Sequence, residues 1–206
     1  IKKIGEIGKE MQDLGKKSTV AGALITGAFI AVGGTALKNT ADLDAASQKM
    51  VAALGKPREE AVGLREDIKA IFAGNFGDPI EDVGQSATTV IAALESVGAT
   101  VDSNITRAIT SGAIAIRDAF GEDIPQTMDA ATSLMDNFGL SADQALDFVA
   151  AGLQGGLNKS GDFLDSIKEY GVQFRDAGAD AGVFFIILES RLASGNLGTD
   201  KAADLF

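Results

Sequence analysis

From Thr40 onward the apolar residues of this chain recur at helical spacing in short stretches, and glycine ends nearly every one of them. Leu43, Met50, Val51 and Leu54 run into Gly55; Val62, Leu64, Ile68, Ile71 and Phe72 run into Gly74 and Gly77. Val83, Val90, Ile91, Leu94 and Val97 reach Gly98; Ile105, Ile109, Ile114 and Ile116, with Gly112 among them, reach Gly121; Met128, Leu134, Met135 and Phe138 reach Gly139. Glycine takes the left-handed backbone angles that end a helix, because it has no Cβ to clash. Helix-starting residues stand where the stretches open. Thr40 precedes Asp42 and Asp44, whose carboxylates complement the helix dipole. Pro57 leads Glu59 and Glu60, Asp78-Pro79 and Ile124-Pro125 open two more stretches, and Ser141 stands before Ala142 to Leu153 with Leu146, Phe148 and Val149. Ser160 or Gly161 starts Asp162 to Tyr170, with Phe163, Leu164 and Ile167, and Thr199 caps a last fragment with Ala202, Ala203, Leu205 and Phe206.

Asp180 to Leu192 holds Val183, Phe184, Phe185, Ile186, Ile187 and Leu188, the most continuous apolar run after residue 39. A short run of this kind is ambiguous between strand and helix, but Asp180 before it and Glu189-Ser190-Arg191 after it suit a buried helix. Sustained polar/apolar alternation with hairpin turns is missing from the sequence. The expected fold class is therefore all-α, with a long N-terminal amphipathic and apolar helix followed by a bundle or array of short helices with Gly stops. Three helix ends echo one another: Asn75-Phe76-Gly77-Asp78, Ala119-Phe120-Gly121-Glu122 and Asn137-Phe138-Gly139-Leu140, each with Phe in the last turn and Gly at the end. A second echo pairs residues 140–148 with residues 198–206. The interval from Phe76 to Phe120 is more than twice that from Phe120 to Phe138. Ends so unevenly placed form no fixed period, so reuse of ordinary caps is the reading preferred over a repeat array.

Residues 1–38 are of another kind. Lys2, Lys3, Lys9, Lys16, Lys17 and Lys38 stand there against Glu6, Glu10 and Asp13, a balance of +3. The remaining 12 bases and 26 acids give residues 39–206 a charge of −14, within a net charge of −11. An acidic body of this size lacks the clustered Lys and Arg that phosphate binding needs, so direct sequence-specific nucleic-acid binding is not expected. The lysines of the head solvate one face of a helix, or meet an acidic partner or anionic lipid. Ile4, Ile7, Met11 and Leu14 fall at spacings of 3, 4 and 3, an amphipathic helix that is also a heptad seam. The same register continues through Ile25 and Val32, which makes these six residues a candidate oligomer seam. Gly5, Gly8 and Gly15 each weaken a free-standing helix by about 1 kcal/mol relative to Ala, so it would need partners.

Ser18 to Leu37 is a run of 20 uncharged residues, STVAGALITGAFIAVGGTAL, about the length that crosses a bilayer core. Its strongly apolar members, Leu24, Phe29 and Ile30 among them, each contribute about −0.3 to −0.6 kcal/mol to insertion, and four Gly with three Thr erode that gain. Ala23, Gly27 and Ala31 form small-xxx-small faces that admit close helix approach in protein or in lipid. Three readings stay open for this stretch: a helix packed in an assembly, a membrane span, and a conditional membrane inserter. The expected organisation is residues 1–38 as a Lys/Gly-rich amphipathic helix running into the apolar one, and residues 39–206 as an acidic helical domain. Helical periodicity already runs at Ile1 and still runs at Phe206, so a segment of a longer chain is expected.

The residue inventory removes most catalytic chemistry. The chain has no Cys, no His, no Trp and one Tyr, which excludes a thiol nucleophile, an imidazole base, a disulfide and a zinc site of nitrogen or sulfur ligands. Asn158, Ser160, Asp162 and Glu169 fit positions 1, 3, 5 and 12 of a calcium loop, but Phe163 stands where that loop requires Gly. The carboxylate pairs Glu59-Glu60 and Glu66-Asp67 sit in the polar phase of a helix and are expected to be solvated. No catalytic residue, metal site or cofactor is expected, and no enzyme.

Two blocks carry a resemblance. Lys2-Lys3-Ile4-Gly5 and Gly15-Lys16-Lys17-Ser18-Thr19, followed by the Ala/Gly-rich run into Ala36-Leu37-Lys38 and then Thr40-Ala41-Asp42-Leu43-Asp44, resemble the N-terminal conserved region of phage tail tape measure proteins. The block from Met135 to Tyr170, with Asp136-Asn137-Phe138-Gly139-Leu140-Ser141 and Gly156-Leu157-Asn158-Lys159-Ser160-Gly161-Asp162-Phe163, is similar to a continuation in the same proteins. The resemblance implies a structural protein that sets tail length while the tube assembles around it and that is released during DNA delivery. It further implies a homo-oligomer, trimer or hexamer, with tail tube protein, tail tip or distal tail and hub proteins, and tail assembly chaperones as partners. The host membrane is a further partner it implies, with a place in the virion tail lumen or tip after synthesis in the host cytoplasm, and in the host envelope after ejection. Two other classes fit the residues: a membrane-active helical pore former inserting residues 18–37, and an oligomeric helical scaffold of other origin.

Overall fold

A computed structural model describes residues 40–77 and 79–193 of the chain. The regular elements among them are α1 (Thr40–Ala53), a short 3-10 turn (Arg58–Glu60), α2 (Ala61–Ala73), α3 (Ile80–Ser96), α4 (Ser103–Phe120), α5 (Ile124–Phe138), α6 (Ala142–Gln154), α7 (Phe163–Asp176) and α8 (Ala181–Ala193). The all-α expectation holds for the described residues, and Val183–Leu188 is helical as the flanking polar residues required. The long N-terminal helix lies outside them.

Several caps read in the sequence set helix ends, whereas the N-cap position of α7 is Asp162 rather than Ser160 or Gly161, and that of α4 is Asp102, which the sequence pattern does not single out. Ser141 and Gln144 form a complete capping box at α6, each side chain bonded to the other's backbone N–H. The Asp102 carboxylate accepts from the Ile105 N–H at 2.9 Å to open α4, and the Asp180 carboxylate accepts from the Val183 N–H at 2.8 Å to open α8. Gly121 and Gly139, at φ of +77° and +67°, close α4 and α5 directly after Phe120 and Phe138. The third echo differs. α2 ends at Ala73 with Gly74 as its cap, so Phe76 lies beyond the helix, in the link, with its ring buried. Pro57 leads the 3-10 turn rather than α2, and α7 continues past Tyr170 to Asp176.

How the helices stack is not visible in those caps. Each helix from α1 to α5 packs on the next and also on the next but one: α1 on α3, α2 on α4, α3 on α5, α4 on α6 and α5 on α7. Successive helices are antiparallel, as Arg117 near the end of α4 bonds Asp82 at the start of α3. Alternate helices run parallel, as the contacts of Asp129 with Lys168 and of Asn137 with Arg175 step together along α5 and α7. The result is a two-row array that grows along the chain, the quasi-one-dimensional plan of helical repeats. Its period lies in the helix starts. The intervals from Ser103 to Ala142, from Ile124 to Phe163 and from Ala142 to Ala181 are equal. They define a step of about 39 residues from α4 onward, close to the length of known two-helix repeats. The earlier intervals, from Thr40 to Ile80, Ala61 to Ser103 and Ile80 to Ile124, are longer and unequal. The reading of the Phe-Gly ends as ordinary caps stands, since they do not mark the unit; a two-helix step recurs instead in the later helix starts.

A continuous core fills the space between the rows, with Ile68, Val83, Val90, Leu94, Ile114, Leu134, Val149, Phe163, Ile167, Phe184 and Leu188 almost wholly enclosed. Apolar residues spaced three and four apart on each helix supply it. Near its distal end Phe184 of α8 stacks with Phe138 of α5 at 5.9 Å and Phe148 of α6 at 6.2 Å, and meets Phe174 of α7 in a tilted contact at 4.7 Å between ring centroids. One side chain thereby ties four helices together.

Candidate functional site

The joints between helices are where this architecture does its work, because they fix how one unit sits on the next. Glycine inside a helix marks several of them. At Gly84 of α3 an added Cβ would lie 3.2 Å from the Ala46 methyl of α1; at Gly112 of α4 it would press on the Leu146 side chain of α6. Gly152 of α6 lies under the ring of Phe163, and Gly171 of α7 lies against Asn137 and Ser133 of α5. A glycine costs about 1 kcal/mol of helix propensity relative to Ala, so each of these positions is held by packing rather than by local preference. An isolated glycine within a helical pattern is the sequence signal for such a joint, and of these four the apolar periodicity sets only Gly112 apart.

Ion pairs bridge the helices as well. Arg107 of α4 donates to Asp67 of α2 at 2.7 Å, Arg117 of α4 to Asp82 of α3 at 2.8 Å, and Lys56 to Glu95 at 2.8 Å. The Asp82 carboxylate holds the Arg117 guanidinium charged beyond its ordinary range, and Glu95 does the same for the Lys56 ammonium. Asp67 overturns one expectation: it is buried, at 3% exposure, not solvated. Ala61, Leu64, Ile68 and Ile71 turn inward from α2, and Asp67 lies beside Leu64 and Ile71 on that face, where a cation from α4 reaches it. Val62, counted with the apolar phase of α2, is 69% exposed instead. Arg107 comes 40 residues after Asp67, so nothing local in the sequence announces the pair.

The calcium-loop residues serve the fold. The Asn158 side chain donates to Glu122 and accepts from the Phe163 N–H at 2.9 Å, capping α7, while the Ser160 hydroxyl donates to Asp162. Asp147 on α6 is half-buried, and its carboxyl is pushed up to about 6, first by burial and then by Asp143 one turn earlier. Carboxylates and hydroxyls arranged in this way hold helices in register. The expected seam residues Ile4, Ile7, Met11, Leu14, Ile25 and Val32 lie outside the described residues. So do Ala23, Leu24, Gly27, Phe29, Ile30 and Ala31 of the close-packing or membrane helix, and Thr199. No helix of the described residues is long and apolar enough to cross a membrane.

The family described as phage-related minor tail protein matches residues 73–206, which takes in α3 to α8. The chain belongs to that family. The tail tape measure resemblance drawn from the sequence is borne out by a second comparison. A probable tape measure protein of Streptomyces phage phiC31 is 39% identical over 87 residues, covering 35% of this chain and 12% of that protein. This chain therefore corresponds to a small part of that relative's length. No solved structure matches. Membership of a minor tail family places the protein among structural tail components rather than enzymes, in line with the residue inventory.

Proposed function

We propose that this chain is part of a tape measure protein of a tailed phage, located in the virion tail, which sets tail length during tube assembly and leaves the tail during DNA delivery. The 39% identity to a probable tape measure protein carries this reading. Residues 1–38 supply an oligomer seam through Ile4, Ile7, Met11, Leu14, Ile25 and Val32, and Ala23, Gly27 and Ala31 allow close packing of the copies. Tail tube, tail tip and chaperone proteins are its partners. A body of charge −14 does not hold DNA through its phosphates, which suits a protein that clears the lumen before DNA passes.

The folded-back array favours a reading in which the ruler lies in other sequence. One unbroken helix of this chain would span about 310 Å, at about 1.5 Å per residue, whereas side-by-side helices advance about 8–10 Å per step. The row α1, α3, α5 and α7 thus advances only about 30 Å. The described region serves as a folded, structural unit of the tape measure rather than as its ruler. An in-frame deletion of residues 40–193 in the phage tests both parts. Electron micrographs are expected to show tails of altered attachment or failed initiation, without the shortening of about 1.5 Å per deleted residue that a helical ruler would give. Loss of the whole protein is expected to give tubes of uncontrolled length or none. Normal tails of fixed length without it would refute the assignment.

A further inference from the structure

The two-helix step that relates α5 to α7 can be carried one unit further. In the α5–α7 joint the Ser133 hydroxyl donates to the Ile167 carbonyl at 3.4 Å. One step after Ser133 stands Val172, which is 42% exposed, one of two large apolar side chains so exposed among the described residues. One step after Ile167 stands Phe206. The first turns of α7 bury Phe163, Leu164, Ser166 and Ile167 and leave Asp165 exposed. At the same step stand Ala202, Ala203, Leu205 and Phe206, with Asp204 in the place of Asp165. Every buried position is matched by an apolar residue and the exposed acid by an acid.

The far side of α8 has the complementary character. Phe184 and Leu188 enter the core and Phe185 and Ile187 pack against it, while Val183 and Ile186, three residues apart, form an apolar strip beside them and stay half-buried. A helix following α8 would lie on this strip and on α7, because each helix from α3 to α6 packs on the one before it and the one before that. α7 likewise packs on α5, and it meets α6 through Phe163 against Gly152. Successive helices begin at nearly even intervals, and on that spacing the start after Ala181 falls close to Lys201.

We infer that residues 202–206 dock on α7 and α8 as the next unit of the array, with Phe206 against Val172. This is independent of the tape measure reading, since it rests on the packing step alone. The absence of cysteine from the chain allows a direct test. Two double variants of the full chain are prepared, V172C with F206C, and V62C with F206C, the second placing a thiol on the exposed Val62 site of α2. Bond formation requires Cα atoms within about 7 Å. The first pair is expected to close an intrachain disulfide at least about tenfold faster than the second, by virtue of higher effective concentration. Helical circular dichroism equal to the parent's checks the fold of each. Equal rates for the two pairs, or cross-links found only between two chains, would overturn the proposal, the latter by showing that a second copy occupies the face.

Discussion

Gly152 of α6 and Phe163 of α7 occupy the same space: the phenyl ring fills the position a Cβ at residue 152 would take. Phe163 is fully buried, its backbone N–H is held by Asn158, and the ring cannot retreat without reopening that cap. Close approach of helix to ring is what lets the short link 155–162 turn the chain between these helices.

Substituting Gly152→Ala is therefore expected to destabilise the protein by about 1–3 kcal/mol through overpacking. Gly63 supplies the opposite case. It lies inside α2 with no atom within 4 Å of an added Cβ, so Gly63→Ala is expected to stabilise by about 0.5–1 kcal/mol. Urea unfolding of both variants checks the contrast; a stabilised Gly152→Ala would contradict the packing.

Removing Arg107 leaves the Asp67 carboxylate buried without its cation. Arg107→Ala is expected to cost about 2 kcal/mol, somewhat less than a fully buried pair because Arg107 is itself half-exposed. The double variant D67A/R107A is expected to lose less than the sum of the single losses, since no orphan charge remains. Thermal unfolding of the four proteins gives the coupling, and strict additivity would show that the pair does not interact.

Asp147 makes stability depend on pH in an unusual direction. Its folded pKa, about 6, lies above the ordinary 3.8, so the folded chain binds this proton more tightly than the unfolded chain. The group's contribution is most favourable below about pH 4, declines as pH rises, and is least favourable above about pH 6. A full shift would correspond to about 1.4 kcal/mol per unit, and solvent screening at a half-buried site reduces the effect to about 1 kcal/mol in total. Asp147→Asn is expected to raise stability by that amount at pH 7.5 and to make no difference near pH 4. Equal gains at both pH values would remove Asp147 as the cause.

Phe184 joins rings from α5, α6 and α7, and Phe184→Ala is expected to cost about 3–5 kcal/mol. In an array the loss is local. Hydrogen exchange is expected to quicken in α5 to α8 while α1 and α2 keep most of their protection. Uniform loss from α1 to α8 would indicate a single cooperative bundle instead.

Much of this is legible along the chain. The stops at Gly121 and Gly139, the capping box at Ser141 and Gln144, and the acid that opens α8 are local devices, settled within one helical turn, and short-range chemistry is what a sequence displays. The two-row stacking is not legible, because the unevenly spaced Phe-Gly ends that suggest a period are caps that any helix can use. The true step is carried by helix starts and buried faces, which become comparable only once the helices are placed. Asp67 looks solvated in the sequence for a related reason. Its partner is 40 residues distant, and a carboxylate beside other acids shows no pairing until a cation from another helix meets it.

The sequence by itself determined an acidic chain, helical throughout its described elements and without imidazole or thiol chemistry, and its tape measure resemblance led to the right family. Those properties follow from residue type and spacing. The tertiary structure alone decided which faces meet, which glycines are joints, that Asp67 is paired, and that Val172 is left exposed on α7. Each of these depends on residues brought together from distant parts of the chain, where burial and close packing rather than local preference set the energy.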